Sequence, residues 1–156
     1  TACTACGAGT FKPETGDVSC TSCGVDTFST AVAATSVGTC SSCPAHTLSA
    51  IGSNELTDCT CLAGYIGNDG TACTACAGGT YKINTGTGVC TACGVDTYSP
   101  TIAATSLGTC SSCPAHTLSA MGSNELTDCT CLAGYIGNDG TACTSCAAGT
   151  YKTATG

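Results

Sequence analysis

The spacing of cysteine constrains this chain more than any other feature. Cys3-Thr4-Ala5-Cys6 leads through Gly and Thr to Phe11, Cys20-Thr21-Ser22-Cys23 leads to Phe28, and Cys40-Ser41-Ser42-Cys43 leads to Leu48. A shortened form, Cys59-Thr60-Cys61, leads to Tyr65, and the set begins again at Cys73. Cys3 to Cys73 is 70 residues and Cys73 to Cys143 is 70 again, an offset that carries all eight cysteines of the first period onto the second. The stretch from Cys40 to Cys76 returns as Cys110 to Cys146 with two changes: Met121 stands for Ile51 and Ser145 for Ala75. Fixed-interval repetition of this kind marks a tandem array. It divides the chain into residues 1–72, a first eight-Cys repeat of four beads; 73–142, a second; and 143–156, the start of a third.

Eighteen cysteines in 156 residues exceed the density that identifies a disulfide scaffold. With no Trp and aromatics at 4%, the chain lacks the side chains for one large core. Beads this small need covalent staples instead. The expected fold is therefore small and disulfide-rich, mostly irregular with short β, an elongated tandem array of beads with no single core. One large side chain per bead at a fixed distance from a cysteine is expected to pack on the cystine: Phe11, Phe28, Leu48 and Tyr65, then Tyr81, Tyr98, Leu118 and Tyr135.

Cysteine usage of this kind belongs to an oxidising compartment, so the chain is expected to be extracellular or at the cell surface. The net charge is −7 and the only cations are Lys12, Lys82 and Lys152, one per period. A phosphate-binding face is thereby excluded, and with it nucleic acid as a partner. No run of apolar residues reaches membrane-spanning length, so no membrane insertion is expected in this segment. The chain begins and ends inside a repeat, without an initiating Met or a signal segment, and is expected to be a window on a longer secreted protein.

Locally, Gly64-Tyr65-Ile66-Gly67-Asn68-Asp69-Gly70 reads as a strand and an Asp-Gly turn, with Thr71-Ala72-Cys73 returning. Ala31-Val32-Ala33-Ala34 is expected to form one helical turn, and Pro100 suits its start in the second copy.

Connectivity is not deducible from spacing alone. A sequential ladder joins the last cysteine of each cluster to the first of the next: Cys6–Cys20, Cys23–Cys40, Cys43–Cys59, Cys61–Cys73, then Cys76–Cys90, Cys93–Cys110, Cys113–Cys129 and Cys131–Cys143. Cys3 and Cys146 are then left for neighbouring repeats. The rival scheme crosses Cys3–Cys20 with Cys6–Cys23. In the ladder each loop holds 11 to 16 intervening residues, and closing such a loop is worth roughly 3 kcal/mol by chain-entropy arithmetic.

At Cys76-Ala77-Gly78-Gly79-Thr80-Tyr81-Lys82 the chain resembles the cysteine-rich repeat of ephrin-type receptors, and the order continues through Cys113-Pro114-Ala115-His116, Gly122-Ser123 and Cys129-Thr130-Cys131 to Gly134-Tyr135. The first period matches through Cys43-Pro44-Ala45-His46 and Cys59-Thr60-Cys61. The chain departs from that pattern by an additional bead, Cys23-Gly24-Val25-Asp26-Thr27-Phe28, and by its tandem repetition. The resemblance implies an extracellular rod related to EGF-like and TNF-receptor-like modules. It does not imply ephrin binding, which belongs to another domain of those receptors. Tandem Thr/Ala-rich versions are also similar to protist surface antigens and to mastigoneme-like fibres, a likeness of fold that does not carry function.

Some residues invite other chemistries. Paired Cys-x-x-Cys can ligate zinc, but here the pairs recur in an unbroken ladder, so no metal and no cofactor are expected. His46 and His116 occupy one repeat position and read as surface or turn residues rather than catalytic bases. Asp58, Asp69, Asp128 and Asp139, with Glu55 and Glu125, fit no EF-hand loop and read as turn acids. No Asn begins an N-glycosylation sequon. Ser and Thr make 45 of the 156 residues, and Thr30, Thr35, Ser36, Ser99, Thr101, Thr105 and Ser106 are candidate O-glycan acceptors. The competing reading is that they line tight turns.

An array with 8% charged residues needs its surface covered, by sugars or by copies of itself. The leading expectation is a structural protein, not an enzyme: a disulfide-stapled rod that forms a filament, hair or coat and carries covalent glycans, with copies of itself as partner. The alternative is a cell-surface antigen or receptor stalk used for display or ligand binding.

Overall fold

Every strand is two residues long. A computed structural model describes residues 2–156, and its strands form eight two-stranded antiparallel sheets. Each bead opens on a tight turn just after a cysteine, runs through a two-residue strand that ends in a large side chain, preceded by Thr in the first three beads of a period and by Tyr in the fourth, and pairs with the cysteine cluster ahead. Thr10–Phe11 pairs with Thr21–Ser22, Thr27–Phe28 with Ser41–Ser42, and Thr47–Leu48 with Thr60–Cys61. Thr and aromatic residues suit such half-buried extended positions. A free two-stranded hairpin this short would not persist in water. Here a cystine closes each bead. Sulfur pairs join Cys6–Cys20, Cys23–Cys40, Cys43–Cys59, Cys61–Cys73, Cys76–Cys90, Cys93–Cys110, Cys113–Cys129 and Cys131–Cys143, with Cα atoms 5.6–5.8 Å apart. Cys3 and Cys146 stand outside these pairs.

The chain divides into two compact units, Thr1–Thr74 with Thr85–Gly88, and Ala75–Asn84 with Val89–Gly156. Within each unit, successive beads are joined through backbone. In the first, Gly9 N–H donates to the Ser29 carbonyl (2.7 Å), Asp26 N–H to Ser49 (3.1 Å) and Ser29 N–H to Ser53 (3.1 Å). Isolated parallel bridges, Phe11 with Ala34 and Phe28 with Ser53, lie along the same joints. The second unit repeats them, with Gly79 donating to Ser99, Asp96 to Ser119 and Ser99 to Ser123.

No oily interior stands behind these joints. Among the described residues the largest fully buried side chains are cystine sulfurs and serines: Cys23, Cys59, Cys61, Cys93, Cys129 and Cys131 at 0% exposure, Cys76 at 1%, Ser29 at 2% and Ser99 at 0%. Phe11, Phe28 and Leu48, expected to cap the cystines as a minimal core, are only half-buried. The residue after Phe28 and the residue after Leu48, Ser29 and Ser49, are the ones taken inside, because their backbone carries the joint, while Lys12 after Phe11 is half-buried.

Two local expectations are corrected. Ala31–Ala34 is not helical: Ala33 has φ +53°, its N–H donates to the Cys6 carbonyl, and the Ala34 carbonyl accepts from Lys12 N–H. Those groups are spent on the preceding bead and are not free for a helical turn. Short 3-10 turns occur further on, at Val37–Thr39, Leu56–Asp58, Leu107–Thr109 and Leu126–Asp128. The strand expected to return over Thr71-Ala72-Cys73 lies later, at Thr74–Ala75 and, in the second copy, Thr144–Ser145 paired with Tyr135–Ile136. That register also moves Tyr65 and Tyr135. Tyr135 faces Ser145, the place Thr10 holds opposite Ser22, so Ile136, and not Tyr135, is the equivalent of Phe11.

Candidate functional site

The tight turn that opens each bead is the most regular feature of the molecule. Its third residue stands three places after a cysteine and adopts positive φ: Gly9 (+77°), Asp26 (+59°), His46 (+61°) and Gly64 (+79°), and again Gly79, Asp96, His116 and Gly134. Its carbonyl accepts the N–H of the next cluster's cysteine or of the residue after it: Cys23 on Gly9 (2.8 Å), Cys43 on Asp26 (2.9 Å), Leu62 on His46 (3.0 Å). Thr at the fourth position closes the turn with its hydroxyl, as Thr10 does on Gly7 and Thr27 on Gly24, both at 2.7 Å.

Only glycine takes this conformation at no steric cost, and Gly9 and Gly79 have a second reason to be glycine. A Cβ at Gly9 would drive into the Gly52 carbonyl, and one at Gly79 into that of Gly122. Asp at this position accepts a further bond through its carboxylate: Asp26 Oδ1 takes Ser49 N–H at 3.3 Å, and Asp96 takes Ser119 N–H at 3.4 Å. No motif in the sequence marks this staple between beads. Its signal was the return of Asp at the same offset from a cysteine in both periods.

His46 is exposed in its turn, with its ring stacked on Tyr65 at 4.2 Å and 13°, and His116 lies on Tyr135 in the same way. Its ring neighbour is an aromatic face, an arrangement that packs a turn and does not activate a nucleophile. The turn acids also work locally. Asp58 Oδ2 accepts the N–H groups of Asn54 (2.8 Å) and Glu55 (3.0 Å), and with Glu55 forms a capping box on Leu56–Asp58; Asp128 and Glu125 repeat it. Among the described residues no group of three or more His, Cys, Asp or Glu is placed to hold a metal ion, and no helix is long and apolar enough to cross a membrane.

Two of the cations, Lys12 and Lys152, are tied to backbone through their side chains. Lys12 Nζ donates to the Gly16 carbonyl at 2.5 Å. Lys152 Nζ donates to Tyr135 at 3.1 Å and to Gly156, and Lys82 is 5% exposed.

Of the candidate acceptors, Thr30, Thr35, Ser36, Thr101, Thr105 and Ser106 are exposed. Ser36 and Ser106 hydroxyls accept Gly38 and Gly108 N–H and cap the 3-10 turns. Ser99 is removed from the acceptor set. It is buried at the joint that its own backbone makes, and its hydroxyl has no partner.

A family model described as tyrosine-protein kinase ephrin type A/B receptor-like matches residues 1–40 and 64–110, together more than half of the chain. The segments around Cys43-Pro44-Ala45-His46 and Cys113-Pro114-Ala115-His116 lie outside the matched residues. No individual curated protein matches the chain.

Proposed function

The chain belongs to the ephrin type A/B receptor-like family of cysteine-rich repeats, and from that premise we propose that it is an extracellular structural protein whose copies assemble into a filament, hair or coat. One observation carries this reading. Each cystine closes a bead, and the Asp26 and Asp96 carboxylates and the Lys152 ammonium tie one bead to the next, while most outward residues recur at a constant 70-residue interval. A protein so built offers its surroundings one patch, many times over. Evenly spaced copies of a patch bind a matching array with avidity, and a contact that does not close on itself propagates.

Sugars on the exposed hydroxyls Thr30, Thr35, Ser36, Thr101, Thr105 and Ser106 belong to the same reading, since they would cover surface that few charges protect. Electron microscopy of the native material, with intact-mass measurement of the same sample, tests it. Fibres and hexose-sized mass increments are expected. Dispersed chains at native concentration would overturn the assembly.

A further inference from the structure

Each unit contains two joints of like build, one seating the second bead on the first, the other seating the third on the second. Each joint carries three backbone bonds. Across the first, the N–H groups of Gly9, Lys12 and Ala33 donate to Ser29, Ala34 and Cys6. Across the second, those of Asp26, Ser29 and Gly52 donate to Ser49, Ser53 and Cys23. Each cystine closes its own bead and crosses neither joint. The bonds are 2.7–2.9 Å long at the first joint and 2.9–3.1 Å at the second. All lie in the ordinary range for N–H to O, so length does not decide which joint is stronger.

Four side-chain differences do decide it, and all favour the second joint. Ala33 stands at φ +53° and Ala103 at +54°, where the second joints have Gly52 and Gly122. A side chain in that conformation carries a cost that glycine does not. Ser53 closes the Gly52 turn twice onto the Ala50 carbonyl, through its N–H (3.3 Å) and its hydroxyl (2.9 Å). Ala34 stands in the matching place and has no hydroxyl. Asp26 Oδ1 accepts Ser49 N–H across the second joint (3.3 Å), where the first joint has Gly9. The Ser49 hydroxyl also crosses, donating to Thr27 (3.1 Å), whereas the Ser29 hydroxyl accepts Ala31 N–H inside its own bead. The second unit keeps the contrast: the Ser119 hydroxyl reaches Thr97 (2.9 Å), and that of Ser99 has no partner.

We propose that the first joint is the yielding joint of each unit. The segments Ser29 to Ala34 and Ser99 to Ala104 lift from the bead before them while the cystines keep every bead closed and the second joint stays made. The chain then bends or lengthens at a set place in each period without any exchange of sulfur. This device does not depend on whether copies assemble. Backbone strain and the missing side-chain bonds together favour opening of the first joint over the second by at least about tenfold.

Native-state hydrogen exchange of the oxidised full chain, in the regime that reports opening equilibria, tests the proposal. After correction for intrinsic rates, the amides of Gly9, Ala33, Gly79 and Ala103 are expected to be at least about tenfold less protected than those of Asp26, Gly52, Asp96 and Gly122. Ala33→Gly with Ala103→Gly should raise protection at the first joint about threefold and leave the second unchanged. Gly52→Ala with Gly122→Ala runs the comparison in reverse. A Cβ at these positions meets only Ser22 and Ala92, at 3.5 Å or more, so the variant tests backbone conformation without a clash. Protection at the second joint should fall about threefold. Equal protection at the two joints, or earlier opening of the second, overturns the proposal. So does an Ala33→Gly, Ala103→Gly variant that gains no protection, or exchange at both joints only through unfolding of the whole unit.

Discussion

At the scale of the residue, Gly79 shows what a joint between beads demands. It stands at φ +78° with its hydrogen-bearing face against the Gly122 carbonyl. A methyl there meets both the cost of left-handed backbone and a backbone atom that a cystine-closed bead cannot move away. Gly79→Ala is therefore expected to destabilise the second unit by about 3 kcal/mol, read as a fall in thermal midpoint under non-reducing conditions. Gly94→Ala makes the control. A Cβ at Gly94 meets nothing within 4 Å and its φ lies outside the left-handed region, so a change within about 0.5 kcal/mol is expected. Asp96 and His116 take the same turn position in their own beads, and they show why sequence reading stopped short of it. Gly, Asp and His share no chemistry that would mark one position. What they share is a backbone conformation, and that is visible only once the turn is seen.

The element here is the bead: one cystine, one short hairpin and the turn that opens it. A hairpin of two residues a side contributes two or three net hydrogen bonds, at about 1 kcal/mol each, too little to order its own loop. The cystine makes up the difference by restricting the unfolded chain. Removing Cys93–Cys110, which spans 17 residues, with Cys93→Ser and Cys110→Ser together, is expected to cost about 2–5 kcal/mol. The loss should be local, because each bead is bonded mainly to the next. Hydrogen exchange should rise over Gly94 to Thr109 first, and the first unit should keep its protection. Uniform loss of protection across both units would show that the beads are coupled more tightly than backbone joints allow. The fourth bead shows the limit of reading elements from residue type. Phe11 stands five places after Cys6, and the same count from Cys61 gives Ile66; Tyr65, four places on, passes for the equivalent only because it is the aromatic. The register with the following Cys-x-x-Cys cluster puts Ile136, and not Tyr135, in that place. The freed tyrosine ring goes to the histidine of the bead before.

Across the whole molecule, stability is a sum of nearest-neighbour terms, as in other tandem arrays. Sulfur holds the beads and backbone hydrogen bonds hold the joints, and no buried apolar mass supports either. Reduction should therefore abolish the fold outright. In excess dithiothreitol the chain is expected to lose all protease resistance, while excess EDTA at neutral pH should leave both resistance and thermal midpoint unchanged. Digestion with elastase under the two treatments makes the comparison. A reduced chain that stays resistant would require an interior that the burial pattern does not contain, and sensitivity to EDTA would require a metal.

What the amino-acid sequence settles by itself is covalent and periodic. The 70-residue interval, the four-bead period, the poverty of large apolar residues and the resulting absence of a shared core all follow from which residues are present and how far apart they stand. What the tertiary structure decided is how one bead meets the next. It chose Ser29 and Ser99 for the interior over Phe28 and Tyr98, spent the polar groups of Ala33 and Ala34 on a joint where a helical turn was expected, and set the register of the fourth bead. The physical reason is common to all three. The joints are made by main-chain N–H and C=O groups from segments about 20 or more residues apart, every residue but proline carries those groups, and no side chain advertises which of them will pair.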